Sequence, residues 1–183
     1  MLTKLDYKLL RLATIADAPG IANVHVTGWH ETYSNIVDQN YLNDLSYEKS
    51  LNFRNHLFEI GNTNTLVALN EEEKIIAFCD FGKKLEHDNQ IMTDTQKQKR
   101  TEVGEISAIY VLKKYQRQGI GTNLFKEANN FMKENSFIPF IVWALKENKN
   151  ACKFYESLGG ILVEEIKVVI GDKEYDEIGY RFS

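Results

Sequence analysis

The chain has 183 residues, of which 43% are hydrophobic and 26% charged, and its net charge is −4. That length predicts one domain over residues 1–183, large enough to bury roughly 70% of the surface its unfolded chain exposes. The acidic balance argues against a nucleic-acid partner, which needs a basic stripe, and no apolar run reaches the ~18 residues of a membrane span.

Tyr7–Ala13 reads as a first strand. Thr14 and Asp17 then offer N-cap chemistry, and Pro19 suits a first helical turn. Ala22, Val26, Trp29 and Tyr33 recur at helical spacing, and Tyr47–Ile60 repeats that periodicity until Gly61-Asn62 stops it. Thr65–Leu69 and Lys74–Phe81 form two strand-like runs around the polar turn Asn70–Glu73, a hairpin signal. Gly82–Thr101 is polar and aperiodic, which predicts a long loop of the kind that shapes a binding site. Glu102–Leu112 is the clearest strand, and Gly119–Asn135 is a helix with Ile120, Leu124, Ala128 and Phe131 on one face. Phe137–Leu145 is a nearly continuous apolar run suited to a buried strand. Asn148–Leu158 is a helix stopped by Gly159-Gly160, and strands Ile161–Ile170 and Glu174–Phe182 close the chain. This order predicts an α/β fold with a mixed sheet.

The first residues, MLTKLDYKLLRLAT, lack the apolar core and small-residue cleavage site of a signal peptide, so a cytoplasmic location is expected. Cys79 and Cys152 sit in no CxxC and read as reduced thiols. His25, His30, His56 and His87 show no metal-ligand spacing, so no metal is expected.

Chemistry enters at YQRQGIG, between a strand and a helix. Gly119 and Gly121 let a ligand approach the backbone closely. The first amides of the helix have no intrahelical partner, and the helix dipole favours anions there. A pyrophosphate fits such a place; a tight turn with no ligand fits it too. Gln116, Arg117 and Lys114 add polar and cationic reach. The P-loop is excluded because no lysine follows Gly121 in register, and the dinucleotide fingerprint because Leu124 stands where a third small residue belongs.

QxxGxG after the strand EISAIYV resembles the acetyl-CoA signature of the GNAT superfamily of N-acetyltransferases. N148-x-x-A151-x-x-F154-Y155-E156-x-x-G159 resembles that family's second signature, and VHVTGWHETY is similar to the first helix of a bacterial subgroup. The resemblance implies a mixed, splayed sheet of about seven strands with about four helices, and acetyl-CoA as co-substrate. It implies that the pantetheine arm pairs with Ile109, Tyr110 and Val111. The pyrophosphate would rest on the amides of Arg117, Gln118, Gly119, Ile120, Gly121 and Thr122, and Asn148 would touch the pantetheine arm. Where some members that acetylate protein N-termini carry a glutamate five residues before the Asn148 position, this chain has Trp143; after the YExxG glycine it has Gly160, where an aromatic is frequent.

Acetyl transfer to an amine needs a neutral nucleophile, and deprotonating an amine of pKa about 10.4 at pH 7 costs roughly 4.6 kcal/mol. Glu105, a carboxylate in an otherwise apolar strand, is the candidate base, alone or through water. Alternation places it on a face with Ser107 and Ile109. A strand-edge glutamate facing water is the alternative. Tyr155 is the candidate acid; a core tyrosine is its alternative. Trp29 and Tyr33, one helical turn apart, are candidates for holding the acceptor by cation–π contact, with core packing as the competing role.

The expected activity is transfer of acetyl from acetyl-CoA to a primary amine of a small molecule or peptide, by direct attack in a ternary complex. A non-catalytic acyl-CoA-binding regulatory or sensor module is the second reading. The acceptor is not legible, and a homodimer is left open.

Overall fold

The structure, a computed structural model, describes residues 9–83, 90–91 and 104–183. β1 (Leu9–Leu12) leads through a 3₁₀ turn at Ile15–Asp17 into α1 (Ala18–Tyr33). Asp17 does not cap α1 with its side chain; Arg11 grips both its oxygens at 2.7 and 2.8 Å. A short α2 (Gln39–Asp44) follows, with Asp38 accepting from the Asn40 amide at 2.8 Å. Only Leu42 of α2 is buried, so its six residues present no periodic stripe. α3 (Tyr47–Ile60) opens with the Ser46 hydroxyl accepting from the Lys49 amide and closes on Gly61 in the left-handed region, φ 70°.

β2 (Thr63–Leu69) and β3 (Ile75–Lys83) form the expected hairpin. Asn70 closes its turn by accepting from the amides of Glu72 and Lys74 at 3.1 and 2.9 Å. The loop expected over Gly82–Thr101 falls largely outside the described residues. Of the rest, Gly82 and Lys83 extend β3, and Gln90–Ile91 is a two-residue β4 paired with β7. β5 (Gly104–Val111), α4 (Ile120–Glu134), β6 (Phe140–Leu145), α5 (Lys149–Ser157), β7 (Ile161–Ile170) and β8 (Lys173–Phe182) complete the chain.

The strands form one mixed sheet, ordered β1-β2-β3-β5-β6-β8-β7-β4. Among the described residues only β5 and β6 run parallel to each other. The apolar stripe of α4 (Ile120, Leu124, Phe125, Ala128, Met132) and Cys152 and Tyr155 of α5 pack on one face with Ile106, Phe140 and Val142. Ile21 and Val24 of α1 cover the other face at Val67, Leu69 and Phe78. A third cluster joins Val37 and Leu42 to Leu145, Ile166 and Val168. No helix among the described residues is long and apolar enough to cross a membrane.

Two features of β5 position everything that follows. Among the described residues its pairing with β6 covers Gly104–Ile106, after which the two strands diverge. Against β3 the register slips by one between Asp80 and Phe81, so Ser107 is an inserted residue, a β-bulge.

Candidate active site

Where β5 and β6 part, a cleft of about 1690 Å³ opens. One end is built from the turn between β5 and α4. Lys113–Tyr115 form a 3₁₀ turn, anchored by the Lys113 amide donating to Glu31 at 2.7 Å. The Gln116 side chain donates back to the Val111 carbonyl at 2.9 Å. Arg117 (φ 63°) and Gly119 (φ 82°) both adopt the left-handed conformation. For a residue with a Cβ such as Arg117 this costs about 1–2 kcal/mol. These two bends turn the chain so that α4 starts with no side-chain cap. The first backbone bond around the helix start is the Asn123 amide to the Gly119 carbonyl, at 2.9 Å. The amides of Ile120, Gly121 and Thr122 come before it, where a helix has no carbonyl of its own to offer. An uncapped helix start lined by Gly119, Gly121 and Thr122 fits a pyrophosphate. Arg117, Lys113 and Lys153 line the same cleft and add positive charge.

The open edge of β5 forms the middle of the cleft. The Leu112 amide donates to Ile76 of β3 at 3.0 Å. Successive amides of a strand point to opposite edges, so Tyr110 also pairs toward β3. The amides of Ile109 and Val111 then face the divergence, where an extended ligand can add as a strand. That refines the expectation for Ile109, Tyr110 and Val111: Tyr110 borders the cleft through its ring.

The bulge changes the face reading of Glu105. Ile106 packs in the α4 core, and Ile109 and Val111 pack against that same core. Ala108 and Tyr110 pack on the α1 side. A side chain at Gly104 would run into Met132, so Gly104 and Ile106 share the α4 face. Glu105, between them, points to the α1 face. It therefore sides with Ala108 and Tyr110, not with Ile109, because the extra residue at Ser107 reverses the alternation. Glu105 is 5% exposed and lines the cleft.

The divergence also lets side chains from both sheet faces meet. Tyr33 of α1 lies beside Tyr110 of β5 and Asn148, close enough for their polar groups to act on its phenol. Burial, with the neighbouring Tyr33, pushes the Tyr110 phenol well up. Tyr155 is 6% exposed, lines the cleft and packs at 5.9 Å from the Tyr180 ring. Burial raises its phenol far above the ordinary value, with Tyr33 adding to the effect. It stays protonated across the neutral range. Asn148 caps α5, its Oδ1 accepting from the Ala151 amide at 3.2 Å, and also lines the cleft.

The far end of the cleft is aromatic. Trp29 stands 4.7 Å from Tyr33 and 5.6 Å from Tyr41, centroid to centroid. Trp143 and Glu177 complete this end. Tyr41, on the short α2, and Glu177, on β8, were not legible beforehand. Glu177 sits in an acidic strand where any of Glu174, Asp176 and Glu177 reads as a solvent-facing charge. Gln118 and Ile120 do not line the cleft. The Ile120 side chain is 1% exposed in the α4 core, and Gln118 folds back toward the Lys114 carbonyl at 3.4 Å. Both contribute backbone to the turn only. Cys79 is buried and its thiol is held well above its ordinary value by that burial, which makes it a poor nucleophile. Among the described residues no group of His, Cys, Asp and Glu is arranged to hold a metal ion.

Comparison with known proteins agrees with this geometry. The family model described as Acetyltransferase (GNAT) family matches residues 29–160, well over half of the chain. YuaI of Bacillus subtilis (strain 168), an uncharacterized N-acetyltransferase, is 28% identical over 170 residues, spanning 93% of this chain and 90% of that protein. The PaiA N-acetyltransferase from Thermoplasma acidophilum, solved in complex with coenzyme A, superposes with a TM-score of 0.65 at 20% identity, covering 92% of this chain and 96% of its own. YncA from Salmonella typhimurium, solved with its cofactor acetyl-CoA, gives a TM-score of 0.68 at 16% identity, covering 96% and 92%. The two structures share the fold, and the family match carries the assignment: the chain belongs to the GNAT family of acetyltransferases.

Proposed function

We propose that this acetyltransferase acetylates the primary amine of a small molecule or peptide by direct attack, with Glu105 as proton acceptor and Tyr155 as proton donor. The observation that carries the reading is the divergence of β5 from β6, which puts the uncapped start of α4, Glu105 and Tyr155 on one cleft.

Acetyl-CoA, when bound, supplies the activated acetyl thioester. The turn amides and Arg117 hold its phosphates, and the Ile109 and Val111 amides offer an edge to its extended arm. Glu105 takes a proton from the acceptor ammonium, directly or through one water, and passes it to solvent. The neutral nitrogen bonds the acetyl carbon as the carbon–sulfur bond breaks. The nitrogen sheds its surplus proton, Tyr155 gives one to the sulfur, and the phenolate is restored from solvent. Net, one proton is released per amide formed from an ammonium. A module that only senses acyl-CoA needs neither a buried carboxylate nor a donor beside the cleft, so nothing favours that alternative.

Glu105→Gln tests the assignment. Turnover should fall about 10²–10⁴-fold at neutral pH, the range of a positioned acid or base. The deficit should shrink toward pH 10, where free amine is abundant. A loss of the same size at every pH would remove Glu105 as the base.

A further inference from the structure

The strand register places Glu105 opposite Ile141, Trp143 opposite Gly179, and Glu177 opposite Leu145. A Cβ built on Gly179 would lie 2.8 Å from Trp143 Cη2 and 2.9 Å from Ile141 Cδ1. The Trp143 ring therefore lies over Gly179, on the face shared by Ile141, Glu105 and Glu177. Any larger residue at Gly179 would lift it. The indole forms a floor with a carboxylate at each end, and all three groups line the cleft. Glu177 acts electrostatically on the Tyr33 phenol, so its charge is felt inside. Trp29, Tyr33 and Tyr41 wall the same end.

Ile141 and Leu145 are four residues apart, about 13 Å along a strand. Glu105 and Glu177 also flank β6 from opposite sides, on β5 and β8, so the two carboxylates are set apart both along and across the strands. The surface between them is aromatic, which suits methylenes and the edge of a cation.

The geometry points to a diamine as acceptor: an alkyl chain lying over Trp143, with its reacting nitrogen at Glu105 and its second ammonium held at Glu177. This rests on the assignment of Glu105 to the reacting amine. Glu177 is then a specificity-determining residue. Only one end is acetylated, because the product carries a single ammonium and loses the hold at Glu177.

The test compares diaminobutane and diaminoheptane with butylamine and heptylamine as acceptors, reading free coenzyme thiol. A charge-assisted contact is worth about 1.5–3 kcal/mol, so the preferred diamine should exceed its monoamine in kcat/KM by about 10–100-fold. Glu177→Gln should erase that preference through KM, bringing the diamine kcat/KM down to that of its monoamine. A wild-type melting temperature reports that the variant is folded. Glu177→Asp should restore part of the preference. Equal use of monoamines and diamines by the wild-type protein, or a Glu177→Gln loss shared by both, would overturn the diamine while leaving the acetyl-transfer assignment standing. Failure of all four amines would overturn the diamine, while thiol release with a peptide amine, run in the same assay, tests the acetyl-transfer assignment separately.

Discussion

The buried pair Arg54–Asp80 permits a stability prediction with a defined size. Arg54 is 2% and Asp80 3% exposed, and they form an ion pair between α3 and β3. Thr65 donates to the other Asp80 oxygen at 2.7 Å, and the guanidinium lies 4.5 Å from the Phe78 ring centroid. Asp80→Asn keeps the volume but leaves the Arg54 charge in an apolar layer. Breaking a buried pair from one side costs about 3–5 kcal/mol. Against a total stability of about 5–15 kcal/mol this is a large fraction. For a domain of this size each kcal/mol moves Tm by about 2–4 °C, so the drop should be about 6–20 °C. Arg54→Met should cost a comparable amount. The double variant should be more stable than the sum of the single losses predicts, because no stranded charge remains. Melts of all four proteins followed by circular dichroism measure this cycle. A drop below about 2 °C in Asp80→Asn, or strict additivity, would refute the reasoning, since both mean that water reaches the pair.

At Gly121 a Cβ would meet Phe154 at 3.5 Å and Val111 at 3.7 Å, both ordinary contacts. Gly121→Ala should fold normally, with up to about 1 kcal/mol of added helix stability. Gly121→Glu, which sets a negative charge against the phosphate position, should abolish acetyl-CoA binding in calorimetry; wild-type affinity there would sink the turn assignment. Burial, reinforced by the nearby Arg54 charge, lowers His25 to about 3. The unfolded chain therefore binds a proton near pH 6.5 that the folded chain refuses. Stability should be fully present above pH 6.5 and fall by about 2 kcal/mol between pH 7 and pH 5 on this account. His25→Gln should lose that part of the pH slope in chemical denaturation; an unchanged slope would mean that His25 is protonated in place.

Much of the fold is written in local periodicity. α4 carries an apolar stripe, and Asn148 announces its helix as a capping residue, whereas the buried residues of α3 are the polar Ser50 and Arg54. The hairpin turn at Asn70 is equally visible, because an Asx side chain bonds its own backbone. Other features fail to show for specific reasons. α2 is six residues long with one buried side chain, too short for a stripe. β4 is two residues whose existence depends on β7. The insertion at Ser107 is invisible because GEISAIYV reads smoothly at period two, and only the β3 register reveals it. Glu177 has no local signal at all. It joins the cleft only because β8 lies antiparallel beside β6, with Gly179 leaving room for Trp143.

The single extra residue at Ser107 links these observations. In an unbroken β5, Ile106, Ala108 and Tyr110 would share the α4 face, and Ile109 would stand with Glu105. Tyr110 would then turn away from α1 and lose its packing on Phe78 and its contact with Tyr33. With the insertion, Glu105 and Tyr110 point to one side while Ile109 and Val111 keep their side chains in the α4 core. The strand also gains twist at a bulge, and it parts from β6 one residue before Ser107. Divergence and face reversal thus arise at the same point in the chain. The first leaves the edge of β5 open to the cleft; the second sets Glu105 and Tyr110 on the same side of the sheet. A strand without the insertion would supply one of these but not both.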